Sequence, residues 1–206
     1  MTNIFKQPRP SAGTRTPSLR STASFRSILV DPYSGRIVRV ESHLEAKHAL
    51  TFMVRPDVSD VVEQSPRVDF IDQFGKLRTF TFDLCVTFTD GHKVAYAVKP
   101  LEQALKSGLR ETITLIASQV PPSVADAFAI LTERDIEPWQ YSNAVLLSSA
   151  ARRAHLDVDA TEAVLVIVRA PISIGAVVAQ TGLAGRAFRA VVALLAHARL
   201  VLVGPG

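Results

Sequence analysis

The sequence predicts an α/β fold followed by a small domain with a helix-turn-helix pattern, and three observations support this. Apolar and polar residues alternate between residues 58 and 100, interrupted by short turn sequences, as in antiparallel strands. Segments with helical spacing precede and follow these strands, which is typical of a sheet covered by helices. After residue 150 the chain is rich in Ala, Val and Leu and contains two short helix patterns joined by a turn.

Composition and charge limit the classes of protein. Of the 206 residues 48% are hydrophobic, which is enough to fill one ordinary core and a second, smaller one. The formal net charge of +4 permits a nucleic-acid partner without requiring one. The single cysteine, Cys85, cannot form an internal disulfide, which favours a reducing compartment. Neither a membrane span nor a secretion signal is recognisable, so the sequence predicts a cytoplasmic protein.

Residues 1–24 are rich in Pro, Ser and Thr and carry basic side chains but no acidic one. A segment of this composition cannot bury enough apolar surface to fold alone. We interpret it as a disordered basic arm. It is either a solvated tail or an arm that lies along DNA phosphates.

A hairpin and a helix are the first predicted elements. Two alternating runs flank the turn-forming cluster at residues 31–35, which predicts the hairpin. Ser42 is a suitable N-cap for the helix, and Glu45 stands three residues later, as in a capping box. The helix is expected to end before Pro56.

Three or four strands are predicted next, joined by hairpin turns at QFGK and TDGH. A helix from Leu101 to about Val120 should follow, stopped by two prolines. Then comes a strand that runs into a helix capped by Thr132. Together these elements predict a core domain over residues 25–150, which is a usual size for one domain.

Residues 151–206 predict a second domain. A short helix, a turn at residues 181–183 and a longer helix at residues 184–198 form the helix-turn-helix pattern, and the apolar run that follows suggests the strand of a wing. A winged-helix-like domain is therefore expected, although a small helical domain used for protein contacts is an alternative. The candidate DNA-binding residues are Gln180, Thr181, Arg186 and Arg189.

The order of short motifs in the first domain resembles TnsA-like proteins, the endonuclease subunits of heteromeric transposases. Ser42 and Glu45 match the family's Ser-x-x-Glu helix, and residues 63–66, Glu-Gln-Ser-Pro, match the Glu-Gln-x-Pro-like entry to its first long strand. Asp83 matches the Asp at the start of a middle strand, and Lys99 matches the Lys at the end of the next strand. The later segment LTERDIEPWQYSNAVLL is also similar to the family's Thr-Glu-x-x-Ile…Asn-Ala segment.

This resemblance covers roughly residues 25–203 and implies a restriction-endonuclease-like fold. Such a fold has a mixed sheet with helices on both sides and an active site at the end where two central strands diverge. The resemblance also implies that Glu45 and Asp83 hold magnesium or manganese, and the carbonyl of Val98 is a further candidate ligand. Lys99 would orient or activate the attacking water. This assignment suits the chemistry, because magnesium takes oxygen ligands and a bound metal lowers the pKa of its water.

Ala97 departs from the family pattern, in which Glu or Gln stands two residues before the lysine. Its methyl group offers no ligand atom, so either Glu102 reaches back from the next helix or the site has lost its chemistry. Asp83 has strongly apolar neighbours, and an unpaired carboxylate would be costly there, which favours a role in a site. For Glu45 the capping box is an equally good explanation.

The function implied by the resemblance is a TnsA-like endonuclease subunit that nicks DNA at transposon ends and so takes part in DNA recombination. It would act with a separate DDE-type transposase, and an ATPase regulator is a further candidate partner. Two alternatives remain open: a noncatalytic nuclease-fold protein for DNA binding or assembly, and a helix-turn-helix transcription regulator. The five histidines are scattered singly, and no Gly-rich phosphate loop is present, so neither a zinc site nor nucleotide hydrolysis is expected.

Overall fold

The computed structural model of the protein describes residues 7–14, 26–152 and 157–204. The chain forms two compact units, residues 1–141 and 142–206. The boundary between the units lies inside a helix, Pro138–Ala151, whereas the sequence predicted it at the end of this helix. None of the described helices is long and apolar enough to cross a membrane.

The first unit is an α/β structure, and its described helices and strands follow one another in this order: β1 (Ser27–Val30), β2 (Ile37–Val40), α1 (His43–Met53), β3 (Val58–Glu63), β4 (Arg67–Ile71), β5 (Leu77–Thr81), β6 (Leu84–Phe88), β7 (Lys93–Val98), α2 (Leu101–Lys106), α3 (Leu109–Gln119) and β8 (Ala127–Leu131). Four strands form a mixed sheet in the order β3-β6-β7-β8. β6 is antiparallel to both β3 and β7, and β8 is parallel to β7. The remaining strands form two hairpins, β1-β2 and β4-β5.

Apolar clusters cover both faces of the mixed sheet, so the predicted sheet flanked by helices is confirmed. On one face Phe52 of α1 packs with Leu84 of β6 and Val98 of β7. On the other face Ile113 of α3 packs with Ala97 of β7. Successive side chains of a strand point to opposite faces, which is why Ala97 and Val98 belong to different clusters.

A bend separates β3 from β4 and β5 from β6, so the β4-β5 hairpin turns away from the mixed sheet. The two chains stay paired through the bend, because the N–H of Gln64 donates to the carbonyl of Asp83 (2.8 Å) and the N–H of Phe82 donates to that of Pro66 (3.0 Å). Beyond the bend, the hairpin packs Val68 and its apolar neighbours onto the cluster around α3. Asp83 therefore lies where the β4-β5 hairpin leaves the mixed sheet and β6 ceases to pair with β7.

Local sequence signals explain the first elements. Ser42 caps α1 as predicted, with its Oγ accepting a hydrogen bond from the N–H of Glu45 (3.0 Å). The predicted hairpin turn is also present, held by the side chain of Asp31. The single helix predicted from residue 101 to 120 is wrong: α2 and α3 are separate helices. Gly108 between them has a positive φ of 63°, a conformation that ends a helix and that glycine adopts without steric cost.

Residues 7–14 lie against the folded unit, although composition predicted them as part of a disordered arm. The N–H of Arg9 donates to the carbonyl of Gly35 (2.8 Å), and Ser11 donates its hydroxyl hydrogen to Glu63. The prediction is wrong for these residues, because a composition argument cannot anticipate hydrogen-bonding partners that the rest of the fold supplies. The rest of the predicted arm lies outside the described residues.

The second unit is helical in its described part. It contains the carboxyl-terminal part of α4 (Pro138–Ala151), followed by α5 (Val158–Ile167), α6 (Ile174–Thr181) and α7 (Gly185–Ala196). The predicted pair of helices joined by a tight turn is confirmed, with Gly182 at a positive φ of 66° ending α6. The predicted wing strand is wrong for the described residues, since positions 197–204 form no strand. The described part of this unit contains helices and no strand, so it offers no sheet edge to which this apolar run could pair.

Candidate functional site

The candidate site lies at the carboxyl end of β7, beside the bend that contains Asp83. The N–H of Asp83 donates to the carbonyl of Tyr96 (2.9 Å), and its side-chain Oδ2 accepts a hydrogen bond from the N–H of Val98 (2.7 Å). In a straight β6, a backbone carbonyl would accept the hydrogen bond from the N–H of Val98. Because the chain bends at Asp83, the side-chain carboxylate accepts it instead. The N–H and C=O of one strand residue point to the same side. The carbonyl of Val98 therefore faces the edge where Asp83 lies.

Glu45 lies in the first turn of α1 and is only 5% exposed. Its Oε2 accepts a hydrogen bond from the N–H of Glu41 (2.9 Å). This contact resembles a capping box but uses the residue before the N-cap, so the capping explanation accounts for part of its surroundings. Burial raises the pKa of Glu45 and the negative charge of Asp83 raises it further, whereas hydrogen bonds from Glu41 and Ser42 lower it. Glu45 and Asp83 are therefore close enough to repel each other.

The oxygen atoms gathered here fit a hard divalent cation in part. Glu45 and Asp83 supply carboxylates, and Val98 supplies a carbonyl on the same edge. Magnesium often binds through one or two carboxylates and keeps several waters. Among the described residues, no group of three or more His, Cys, Asp or Glu side chains is placed to hold a metal ion. The side chains thus suit a cation that completes its shell with water and phosphate oxygens, and do not form a closed cage.

Ala97 and the predicted replacement ligand do not add to this oxygen set. Ala97 is 1% exposed and packs in the cluster around α3, on the sheet face opposite to α1. Glu102 is exposed, and its carboxylate accepts a hydrogen bond from Nζ of Lys106 (2.6 Å). The hypothesis that Glu102 reaches back to the site has no support in these contacts, because its partner lies on its own helix.

Lys99 lies one residue beyond β7 and is exposed. Its backbone N–H donates to the carbonyl of Leu131 (3.0 Å), which fixes the position of its Cα at the end of the sheet. Its side chain makes no hydrogen bond or ion pair with any residue in the described part of the chain. The ammonium group is therefore available to a ligand that approaches this end of the sheet.

A second buried carboxylate, Glu63, was not assigned a role from the sequence. It ends β3, is 1% exposed, and its Oε1 accepts hydrogen bonds from the N–H of Arg39 (3.1 Å) and from Ser11. Its Oε2 has no hydrogen-bond partner among the described residues. Glu45 and Glu63 thus accept hydrogen bonds from Glu41 and Arg39, two positions apart along the same backbone edge. Their carboxylates help to hold the β1-β2 hairpin against the sheet.

His48 is a third buried polar residue near the site. It is 3% exposed, and its Nε2 donates a hydrogen bond to the carbonyl of Thr132 (2.9 Å), just after β8. Burial lowers the pKa of His48. Because His48 lies three residues after Glu45, both project from the same side of α1. His48 therefore positions α1, and with it Glu45, relative to the end of the parallel pair β7-β8. The three-residue spacing between Glu45 and His48 in a predicted helix is the feature of the sequence that could have identified His48 as a neighbour of the site.

The predicted DNA-binding residues of the second unit lie in different environments. Arg186 forms a bidentate ion pair with Asp157, with Nε–Oδ2 and Nη2–Oδ1 distances of 2.8 Å each. This guanidinium group lowers the pKa of Asp157 to about 2. Thr181 donates its hydroxyl to the carbonyl of Val178 (2.9 Å) and so stabilises the turn. Gln180 and Arg189 are exposed.

Most of α7 is buried. Ala193 and Ala196 pack against Ala150 of α4, while Val191 and Leu194 pack in the cluster formed with α5 and α6. Only the first turns of the helix present several exposed side chains. Recognition helices contact bases mainly with their amino-terminal residues, so this arrangement permits a DNA contact but restricts it to a small surface.

Comparison of the chain with protein-family models and with curated proteins finds no match.

Proposed function

We propose that the protein is a TnsA-like nuclease-fold subunit that hydrolyses phosphodiester bonds at the ends of a mobile DNA element. The observation that carries this proposal is that Asp83, which accepts a hydrogen bond from Val98 at the end of the mixed sheet, raises the pKa of the buried Glu45 from a distant element by its negative charge. Activity should be weak, because Ala97 provides no ligand atom.

The order of elements supports the proposal. A helix precedes three antiparallel strands of the sheet, two further helices follow, and the last strand is parallel to its neighbour. Helices cover both faces, and the strands diverge at Asp83. These are the features that a restriction-endonuclease-like core would have. The second unit would then provide additional contacts, with the paired helices α6 and α7 in place of a complete winged helix.

The chemistry follows from the same residues. Glu45, Asp83 and the carbonyl of Val98 would hold magnesium or manganese, which would neutralise charge on the phosphate and lower the pKa of a bound water. The ammonium of Lys99, on its flexible stem, would bind a phosphate oxygen or orient the attacking water. Without a side-chain ligand at Ala97, the ion would be held weakly until DNA supplies oxygen atoms.

The proposed partners are DNA, a separate DDE-type transposase and, as a further candidate, an ATPase regulator, all acting in the cytoplasm. The protein partners rest on the resemblance alone. DNA has additional support from the net positive charge of +4 and from the exposed Lys99 at the site.

A noncatalytic DNA-binding or assembly protein is the second candidate. The burial of Ala97 in an apolar cluster favours it, as do the hydrogen bonds that already engage Glu45 and Asp83 with backbone N–H groups. A transcription regulator has less support. Most of α7 is buried, and Arg186 is bound to Asp157.

Nicking of supercoiled DNA by the purified protein, with magnesium or manganese, tests the proposal. The wild-type protein should nick, and Asp83→Asn should reduce the rate at least about a hundredfold, since it removes the charge that binds the metal. Asp90→Asn is the matched control, because Asp90 lies in the exposed turn between β6 and β7 and should leave nicking unchanged. Equal nicking by Asp83→Asn and the wild type would contradict the proposal.

The variant Ala97→Glu separates the two candidate functions. No nicking by the wild type together with nicking by Ala97→Glu would favour the noncatalytic protein, in which one missing ligand has removed the chemistry. Because position 97 is buried, the new carboxylate should also lower the free energy of unfolding. Thermal unfolding of Ala97→Glu must therefore be measured alongside, so that loss of fold is not taken for loss of chemistry.

A further inference from the structure

The tip of the β4-β5 hairpin exposes three large apolar side chains. Phe74 is 75% exposed, Leu77 69% and Ile71 45%. Ile71 and Leu77 lie directly opposite each other in the ladder, and Phe74 lies in the turn between them. The three exposed apolar residues therefore lie together in sequence and register at the tip of the hairpin.

The tip is held in one conformation by its own hydrogen bonds. Oδ1 of Asp72 accepts from the N–H groups of Phe74 and Lys76, both at 2.9 Å. Gly75, at a positive φ of 74°, donates its N–H to the carbonyl of Asp72 (2.9 Å). The side chain of Gln119 in α3 bonds both backbone groups of Ile71 (2.8 and 3.0 Å). Phe74 is thus presented on a preorganised turn, which reduces the entropy lost on binding.

The charges of the hairpin favour an anionic partner. Asp72 is engaged by the turn and by Nε of Arg78 (2.9 Å), and Asp69 accepts from the hydroxyl of Thr79. Lys76, two residues after Phe74, forms no ion pair with any residue that the structure describes. The acidic side chains are therefore used within the hairpin, while Lys76, close to Phe74 in sequence, has no ionic partner among the described residues.

We propose that this tip binds duplex DNA, with Phe74 acting as an apolar wedge at a base step in the minor groove and Lys76 contacting the flanking phosphate. Proteins that insert such wedges use a rigidly held Phe, Leu or Ile together with cations on the adjacent backbone. The proposal rests on the DNA binding in the proposed function, but not on hydrolysis.

The position of the hairpin suits a second contact on the same duplex. β4 begins next to the bend at Asp83 and is five residues long. A strand of this length spans roughly 17 Å, or about five base-pair steps. A duplex whose phosphate lies at the candidate site could thus also reach Phe74, and a kink there would bring more of the duplex onto the protein.

DNA binding without divalent metal tests the wedge. The full chain is titrated, in the presence of a chelator, into a duplex that carries a fluorescent adenine analogue. Phe74→Ser should weaken binding about tenfold and abolish the increase in fluorescence that accompanies unstacking. Ile28→Ser, which changes another largely exposed apolar residue, in β1, should leave both the affinity and the fluorescence increase unchanged. Lys76→Ala should reduce the slope of log K against log salt by about 0.9, and Lys106→Ala, with the same change in charge, should not.

Wild-type affinity and wild-type fluorescence in Phe74→Ser would overturn the proposal. So would a change confined to self-association, seen by sedimentation, because the tip would then be a protein contact. A wild-type protein that does not nick but whose DNA binding depends on Phe74 would contradict the proposed hydrolysis and support the wedge. If the wild type nicks DNA and Phe74→Ser binds DNA as tightly as the wild type, the proposed hydrolysis is supported and the wedge is contradicted.

Discussion

The two units differ in the burial of their charged side chains. In the first unit, Glu45 and Glu63 are buried at one end of the sheet, near Asp83. In the second unit, Arg186 and Asp157 form an ion pair at the surface. Buried like charges are costly, whereas a surface pair contributes little either way. Among the described residues, the first unit thus buries carboxylates at one end of its sheet at a cost that their backbone hydrogen bonds offset only in part, since Oε2 of Glu63 has no partner there. We therefore expect the chemistry in the first unit.

The direction of the pKa shifts expresses the same contrast. Burial and the charge of Asp83 raise the pKa of Glu45, so folding favours its protonated form. The guanidinium of Arg186 lowers the pKa of Asp157, so folding favours its ionised form. The two carboxylates should therefore change the free energy of unfolding in opposite directions as pH changes.

The largest expected effect tests whether the bend that carries Asp83 is part of the core. Phe82 is fully buried beside it, and Phe82→Ala should lower the free energy of unfolding by about 3–5 kcal/mol, measured by urea denaturation. Phe74→Ala removes a phenyl ring from the exposed hairpin tip and should change the free energy of unfolding by less than about 0.5 kcal/mol. Similar losses in the two variants would show that the bend is not packed as described.

The next effect concerns Glu45. As pH rises above 4.5, the unfolded chain ionises this carboxyl before the folded protein does, so the wild type should lose stability until Glu45 is ionised in the folded state as well. Glu45→Gln should remove this decrease while keeping an acceptor for the N–H of Glu41. Urea denaturation of both proteins at a series of pH values above 4.5 measures this difference in the free energy of unfolding. Parallel pH profiles for the two proteins would contradict the account.

Asp157 should show the opposite dependence. Its folded pKa of about 2 lies below its ordinary value of 3.8, so its stabilising contribution is present above pH 3.8 and is lost as pH falls through about 2. Asp157→Asn keeps a capping side chain but loses this pH-dependent contribution, which thermal unfolding followed by helix circular dichroism measures. Asp159→Asn, 90% exposed and 4.0 Å from Arg186, is the control and should resemble the wild type.

The smallest expected effect sharpens the role of the second unit. If α7 contacts phosphates, Arg189→Ala should reduce the slope of log K against log salt by about 0.9, since one phosphate contact is lost. Arg186→Ala should reduce it less, because Asp157 already neutralises that guanidinium group. Filter binding at several salt concentrations measures both slopes. Unchanged slopes in both variants would show that this surface makes no contact with DNA phosphates.

Much of the fold could be predicted, because the alternation of apolar and polar residues and the position of turn-forming residues are visible in short stretches of the sequence. The Asp31 turn and the Ser42 cap are examples, and both are present. The break of the predicted long helix at Gly108 and the missing wing strand could not be predicted. The first depends on a backbone conformation that glycine permits but does not demand, and the second depends on whether a sheet edge is available for pairing.

The candidate site was only partly predictable. The motif order predicts that Glu45 and Asp83 belong to one site, and the negative charge of Asp83 raises the pKa of Glu45. The burial of Glu63 and the hydrogen bond from His48 to Thr132 depend on contacts between distant segments. Such contacts leave no local pattern in a single sequence, apart from the spacing of His48 from Glu45 on one helix.

The most direct test of the central claim, that Glu45 and Asp83 form one divalent-cation site, is calorimetric titration of manganese into the metal-free protein. The account predicts binding near one ion per chain that is lost in both Glu45→Gln and Asp83→Asn and retained in Asp90→Asn. Manganese should also weaken the pH-dependent loss of stability caused by Glu45, because the cation offsets the repulsion. Equal binding by the wild type and by both site variants, or no binding by any of them even with duplex DNA present, would contradict it.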